Sequence, residues 1–103
     1  MKNRLEGLLA LFEKDPKDTF TIYGISLEYL SLKNYDEAEK YLKLIFENDP
    51  GYVPAYMQYA QLKEKLNQID VAKEFYRQGI IKAKEAGDKK SAAEMEEFLD
   101  ELE

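Results

Sequence analysis

The sequence predicts an all-α protein built from antiparallel helix hairpins, and three observations support this fold class. First, when the 103-residue chain is shifted against itself by 34 residues, Leu8 falls on Leu42 and Asp15-Pro16 falls on Asp49-Pro50. Second, apolar residues recur at steps of three and four, as they do along one face of a helix. Third, the turns between these stretches are short, so consecutive helices must lie side by side. The sequence therefore contains more than one copy of the same helical unit.

The first full repeat spans residues 19–50 and contains two predicted helices. Their apolar stripes are Ile22, Ile25, Ser26, Tyr29 and Leu32 on the first helix, and Ala38, Tyr41, Leu42, Ile45 and Phe46 on the second. The turn Lys33-Asn34-Tyr35 separates them, and Asn34 suits a left-handed or capping conformation. Pro16 and Pro50 mark the boundaries of the repeats, because proline disfavours helix in the residue before it.

The second full repeat, residues 53–86, has the same order of features. Its two helices carry Tyr56, Tyr59, Ala60 and Leu66, and then Ala72, Phe75, Tyr76, Gly79 and Ile80. Gly87 is a usual stop signal, and either Asp88 or Ser91 can cap a last helix over 88–103, so the start of that helix stays open. Residues 3–14 form an opening helix, which brings the predicted total to six.

The composition excludes several classes of function. The chain has no Cys and no His, which removes disulfides, thiolate nucleophiles, imidazole bases and nearly every zinc or transition-metal site. Its five glycines are never closer than eight residues, so no glycine-rich loop can cradle a phosphate. We therefore expect a protein without enzymatic activity, cofactor or metal. No apolar run is long enough to span a membrane, and no signal peptide is recognisable, which indicates a cytoplasmic protein.

The net charge of −6 comes entirely from the C-terminal segment. Residues 94–103 carry six acids and no base, while residues 1–93 hold 15 acids and 15 bases. Nucleic acid is therefore not an expected partner, since its recognition normally begins with a basic surface. Two interpretations of the acidic segment stay open. It is a solvated helix face, or it docks on basic groups, either of a partner or of this chain itself (Lys82, Lys84, Lys89 and Lys90).

The repeat resembles the tetratricopeptide repeat (TPR) family, whose pattern recurs about every 34 residues. The residues that carry the resemblance are Ile22, Ile25, Ser26, Tyr29, Ala38, Leu42 and Pro50 in the first full repeat, and Tyr56, Tyr59, Ala60, Lys63, Ala72 and Tyr76 in the second. Ile22, Lys63 and Lys84 depart from the family's aromatic, Tyr and Pro. The resemblance implies a right-handed α-solenoid of about six helices, forming a single domain over 1–103 whose last helix is a cap.

The resemblance also implies that the first helices of successive repeats line a concave groove for a partner. The residues expected to point into this groove are Phe20, Tyr23, Leu27, Leu30, Tyr56, Met57, Gln58, Gln61 and Glu64. Family members that grip a terminal carboxylate carry Lys and Asn there, whereas Tyr23, Leu27, Met57 and Gln61 stand in this chain, so we expect no such clamp. An alternative is that the opening helix or the cap covers the apolar residues within the monomer.

These expectations lead to two functional hypotheses. The first is an adaptor or scaffold that binds a peptide or helix of another protein in the groove, through apolar burial with polar side chains fixing the register. The second is a structural protein whose apolar surface pairs with a second copy to give a homodimer with no foreign ligand.

Overall fold

A computed structural model describes residues 3–103, and all regular secondary structure within that range is helical. The six helices are α1 (Arg4–Lys14), α2 (Thr19–Ser31), α3 (Tyr35–Asn48), α4 (Val53–Lys65), α5 (Ile69–Glu85) and α6 (Lys89–Leu102). Each predicted helical segment thus contains a helix. The helices group into two compact units, α1–α3 up to Pro50 and α4–α6 from Gly51 onward.

Polar side chains cap the N-termini of four helices. Asn3, Asp18, Asn34 and Asp88 each accept a hydrogen bond from the backbone N–H three residues further on, at the starts of α1, α2, α3 and α6. This bond satisfies one of the amide groups that has no partner within a helix. The open start of the last helix is thereby resolved, because Asp88 is its cap and the Ser91 N–H is the donor, at 3.1 Å.

Three helices end in the same kind of turn, with one residue in the left-handed conformation. These residues are Lys33, Asn67 and Gly87, with φ of 59°, 61° and 74° after α2, α4 and α5. In each turn the next residue's N–H bonds to a carbonyl five residues back, as Asn34 does to Tyr29 at 2.9 Å. This is the hydrogen-bond pattern of a Schellman turn. Asn34 itself is therefore a cap, and Lys33 takes the left-handed position.

In the first unit, α2 packs against both α3 and α1. The α2–α3 contact is formed by side chains that are fully buried: Ile22, Ile25, Ser26, Ala38, Leu42 and Ile45. Against α1, Gly24 leaves so little room that an added Cβ would lie 3.3 Å from the Leu8 side chain. Leu32, predicted to belong to the apolar stripe, is instead 64% exposed. It follows the last residue of α2, so the helical spacing no longer places it on the buried face.

In the second unit, α5 packs against both α4 and α6, while α4 touches α6 only lightly. The core contains Val53, Ala60, Tyr76, Ala83, Ala92 and Met95, with Phe98, Leu99 and Leu102 packed against it. Gly79 sits at the tightest point, because an added Cβ would lie 2.5 Å from the Met95 sulfur and 2.8 Å from the Tyr56 Cβ. The small residues of the predicted stripes, Ser26, Ala38, Ala60, Ala72 and Gly79, are all buried.

Candidate functional site

The groove residues predicted on α2 form an apolar surface that is only partly covered. Phe20 is 77% exposed, and Tyr23, Leu27 and Leu30 are half-buried. Their spacing of three and four residues places them along one side of the helix. We call these four residues the α2 surface.

The opening helix covers the neighbouring side of α2 and leaves Phe20 accessible. Leu8 of α1 packs at Gly24, and the Arg4 guanidinium lies 2.6 Å from a carboxylate oxygen of Glu28. Phe20 is the most exposed of the large apolar side chains in the described part of the chain, and it adjoins other partly exposed apolar residues of the α2 surface, which is the arrangement typical of an interaction patch. The alternative that α1 seals the apolar residues therefore does not hold for Phe20.

The groove residues predicted on α4 divide into an accessible set and one buried residue. Met57, Gln58, Gln61 and Glu64 are half-buried, and we call them the α4 surface. Tyr56 is only 5% exposed, and its ring lies 6.4 Å from that of Phe75 on α5. The absent Cβ of Gly79 lets α5 approach Tyr56 closely. Tyr56 is thus part of the packing between α4 and α5, and we remove it from the candidate groove.

A cleft lies between α4 and α6, lined by Gln61, Glu64, Lys65, Phe98 and Glu101. We call it the α4–α6 cleft. Beneath it, the Tyr76 hydroxyl donates a hydrogen bond to the Glu64 carboxylate, and the Tyr76 and Phe98 rings are stacked with centroids 5.7 Å apart. Phe98 and Glu101 were not expected here. Both lie in the predicted last helix, Phe98 at an apolar position and Glu101 in the acidic segment, and the sequence does not indicate that α4 lies beside them.

Tyr76 stays protonated under physiological conditions and can therefore act as a hydrogen-bond donor. Burial raises the pKa of its hydroxyl most, followed by the hydrogen bond to Glu64 and the negative charges of Glu64 and Glu101. All of these influences disfavour the phenolate. The α4–α6 cleft therefore holds a neutral phenol that contacts one of its two carboxylates.

A second cleft, not anticipated from the sequence, lies in the first unit between α1 and α3. Phe12, Tyr41 and Leu44 form its apolar lining, and charged residues of α3 surround them: Asp36, Glu39, Lys40, Lys43 and Glu47. The Phe12 and Tyr41 rings meet edge to face, with centroids 5.5 Å apart. Burial raises the pKa of the Tyr41 hydroxyl. The charges of both signs around this cleft give no preference for one class of ligand.

Lys63 is a buried lysine at the end of α4, only 7% exposed. Its ammonium donates a hydrogen bond to the Gln68 side-chain oxygen at 2.9 Å and lies 5.3 Å from the centre of the Tyr59 ring. Gln68 is the N-cap of α5 and makes no side-chain capping bond of its own. Lys63 therefore links the two ends of the α4–α5 turn and does not line the candidate groove.

The acidic C-terminal segment belongs to α6 and is partly neutralised within the chain. Lys84 pairs with Glu96 at 3.3 Å, and Arg77 pairs with Glu103 at 3.5 Å. Of the four lysines considered from the sequence, Lys84 thus docks on the segment. These pairs are half exposed, and exposed ion pairs contribute little to stability.

Residues 3–103 contain no group of three or more Asp, Glu, His or Cys side chains that could hold a metal ion. None of the six helices in that range is both long and apolar enough to cross a lipid bilayer.

Comparison with known proteins places this architecture among helical repeats. A family model described as tetratricopeptide repeat matches residues 29–93. A TPR repeat-containing protein of Pseudomonas aeruginosa is 26% identical over 98 residues, which cover 95% of this chain and 93% of that protein.

Two solved structures are similar over most of the chain. The tetratricopeptide repeat domain protein from Salinibacter ruber, solved by NMR, is 35% identical with a TM-score of 0.82, over 86% of this chain and 90% of its own. The TPR2B domain of yeast Sti1, solved in complex with pHsp70, is 19% identical with a TM-score of 0.88, over 95% of this chain and 78% of its own. These likenesses confirm the predicted all-α helical-repeat solenoid.

Proposed function

Since the chain belongs to the tetratricopeptide repeat family, we propose that it is an adaptor that binds a peptide or helix of another protein through the α2 and α4 surfaces. The family supports a role in protein–protein interaction in general, and its members are in general non-catalytic scaffolds. The observation that carries the finer proposal is the exposure of Phe20, 77%, beside half-buried Leu27 and Leu30.

The two surfaces have complementary chemistry for such a partner. Phe20, Leu27 and Leu30 supply apolar area, whose burial gives about 25 cal/mol for each Å² removed from water. On α4, the amides of Gln58 and Gln61 offer donors and acceptors to a peptide backbone. An aromatic anchor with polar groups at its edge is the usual composition of a protein-binding patch.

One of the similar structures gives a precedent for the class of partner. The yeast TPR2B domain was solved as a complex with pHsp70, so a domain of this fold accommodates another protein. At 19% identity the likeness concerns the fold. The binding specificity of this chain therefore depends on its own side chains, which are apolar on α2 and polar on α4.

The test is affinity capture from a lysate of the source organism, with a matched pair of variants. Leu27→Glu introduces a charge into the α2 surface, whereas Leu32→Glu makes the same change at a residue that is 64% exposed beyond the end of α2. We expect the first variant to lose a captured protein that the second retains. Phe20→Glu should act like Leu27→Glu, and because Phe20 is mostly exposed, it keeps the test informative if Leu27→Glu fails to fold. Equal capture by all variants would exclude the α2 surface as the binding site.

The same exposed ring supports a second candidate function, self-association through the α2 surface. A dimer would bury Phe20 against its copy and leave no groove for a foreign ligand. Light scattering during gel filtration separates the two hypotheses. The adaptor predicts a monomer at all concentrations, and the alternative predicts a dimer that Phe20→Glu dissociates.

A further inference from the structure

The α4–α6 cleft combines an aromatic ring, an amide and two carboxylates in one small area of the second unit. Gln61, Glu64 and Lys65 come from α4, and Phe98 and Glu101 come from α6. Gln61 and Glu64 also belong to the α4 surface, so the cleft shares two residues with the proposed partner-binding surface. Its ligand would then be a side chain of the same partner, an assignment that rests on the proposed function.

Glu64 and Glu101 line the same cleft, one from each helix. Glu64 accepts the hydrogen bond of the Tyr76 hydroxyl, and Glu101 is near enough for its charge to raise the pKa of the same hydroxyl. Among the residues that the structure describes, neither carboxylate forms an ion pair, although Lys65 lies on the same cleft. Because Tyr76 is neutral, its hydrogen bond leaves the charge of Glu64 uncompensated.

Two other acids at this end of the chain are paired within it. Glu96 of α6 pairs with Lys84, and Glu103, the C-cap of that helix, pairs with Arg77. Neither of these basic residues of α5 is paired with Glu64 or Glu101, so the cleft, which also includes Lys65, has a net negative charge. A net negative cleft whose carboxylates form no ion pair within the described residues attracts a cation from outside.

The ring in the cleft narrows the choice of cation. Phe98 is half-buried, and its stacking on Tyr76 fixes the plane of its ring. A guanidinium stacks on such a ring and, being planar with five N–H donors, can at the same time donate to separate carboxylates and to an amide oxygen. The Gln61 amide on the cleft supplies that oxygen. An ammonium group is a compact point charge and lacks the planar shape and the five donors that match this arrangement.

We propose that the α4–α6 cleft binds an arginine side chain of the partner protein, with its guanidinium between Glu64 and Glu101 and against the Phe98 ring. The partner would then contribute an arginine to this cleft. The arrangement is opposite in charge to a groove that grips a terminal carboxylate, since two carboxylates would repel one.

The experiment is an NMR titration of the full chain with N-acetyl-L-arginine amide. The control ligand is N-acetyl-L-citrulline amide, which has nearly the same shape and no charge. We expect saturable shifts of the Gln61 side-chain amide and the Phe98 ring protons with arginine, and a Kd on the order of millimolar, as befits a small ligand. Citrulline should produce much smaller shifts at the same concentration.

A matched pair of variants tests the assignment of the carboxylate. Glu101→Gln and Glu97→Gln remove one charge each from exposed positions of α6, but only Glu101 lines the cleft. We expect Glu101→Gln to weaken arginine binding at least about threefold, the effect of losing one partly exposed ion pair, and Glu97→Gln to leave it unchanged. Equal weakening by both variants would mean that arginine responds only to net charge and would overturn the proposal.

The outcome separates the arginine site from the adaptor function on which it rests. Arginine shifts that do not saturate, or that citrulline reproduces, overturn the arginine site. A loss of partner capture by Leu27→Glu would still support the adaptor in that case, because Leu27 belongs to the α2 surface and does not line the α4–α6 cleft.

Discussion

Lys33 and Asn67, one repeat period apart, hold the same left-handed backbone conformation, with φ of 59° and 61°. Each is followed by the residue whose N–H closes the Schellman turn, Asn34 onto Tyr29 and Gln68 onto Lys63. Asparagine tolerates this conformation, whereas a lysine side chain crowds the following carbonyl. The two repeats thus share one turn geometry. Lysine suits the left-handed position less well than asparagine does, so the first turn is the more strained.

Replacing Lys33 by glycine should therefore stabilise the protein. Glycine removes the steric cost of the left-handed conformation, which is about 1–2 kcal/mol. It also makes the unfolded chain more flexible, which destabilises the folded state by about 0.5–1 kcal/mol. We expect Lys33→Gly to raise the free energy of unfolding by about 0.5–1 kcal/mol in urea titrations. Lys17→Gly is the control, since Lys17 also lies in an exposed turn but does not have a positive φ. A gain of the same size at Lys17 would contradict the explanation.

Gly79 is the position at which a single methyl group should cost most. Gly79→Ala would place a Cβ against the Met95 sulfur and the Tyr56 Cβ, and the latter is attached to the backbone and cannot swing away. Overpacking of this kind costs about 1–3 kcal/mol. Gly7→Ala in α1 is the matched control, because nothing lies within 4 Å of its added Cβ. There, alanine should stabilise the helix by up to about 1 kcal/mol. Thermal unfolding of both variants would reveal opposite signs, and equal signs would disprove the close packing at Gly79.

Asp88 should make the stability depend on pH through the cap of α6. Hydrogen bonds from the Ser91 side chain and backbone N–H hold the pKa of the Asp88 carboxyl below its ordinary value, with a further contribution from Lys90. A carboxyl whose pKa is lower in the folded state contributes stability above its unfolded pKa of about 3.9 and loses it as the pH falls through the folded pKa.

The variant Asp88→Asn isolates this effect, because asparagine also caps helices but cannot ionise. The difference in unfolding free energy between the wild type and Asp88→Asn should be present at neutral pH and vanish in acid. A difference that stays constant from pH 7 to pH 2 would show that the ionised form of Asp88 has no special role.

Removing the Tyr76 hydroxyl should destabilise the second unit. Tyr76 is completely buried and donates its hydrogen bond to Glu64, so Tyr76→Phe leaves that carboxylate short of one partner. We expect a loss of about 1–2 kcal/mol in chemical unfolding, toward the lower end because Glu64 is half-buried. The double variant Tyr76→Phe/Glu64→Ala should lose less than the two single changes together. Strict additivity would indicate that the two groups are not coupled.

The sequence predicted the helices well because their signals are local. The stripe over Ile22, Ile25 and Ser26 and the stop at Gly87 depend only on spacing along one chain segment, and the structure confirms both. The boundary residue Leu32 was predicted wrongly, because the helical spacing was extended one residue past the end of α2.

The candidate site was harder to predict, because it depends on how close two helices come. Tyr56 has the spacing of a groove residue, but the glycine at position 79 draws α5 onto it and buries it. Phe98 has the spacing of a core residue, yet it lines a cleft because α6 touches α4 only lightly. Periodicity gives neither the distance between α4 and α5 nor that between α4 and α6. The exposure of Phe20, by contrast, follows from its position on a different side of α2 from the stripe that packs on α3.

Photo-crosslinking from position 20 in cells of the source organism tests the account most directly. A photoreactive phenylalanine analogue replaces Phe20 in one variant and Ile81, an exposed apolar residue of α5, in the other. We expect the analogue at position 20 to form a crosslink to another protein. The analogue at position 81 should give no crosslinked product of the same mass. A product of twice the mass of the chain would favour self-association instead. The absence of any crosslink specific to position 20 would contradict the claim that the α2 surface binds a partner.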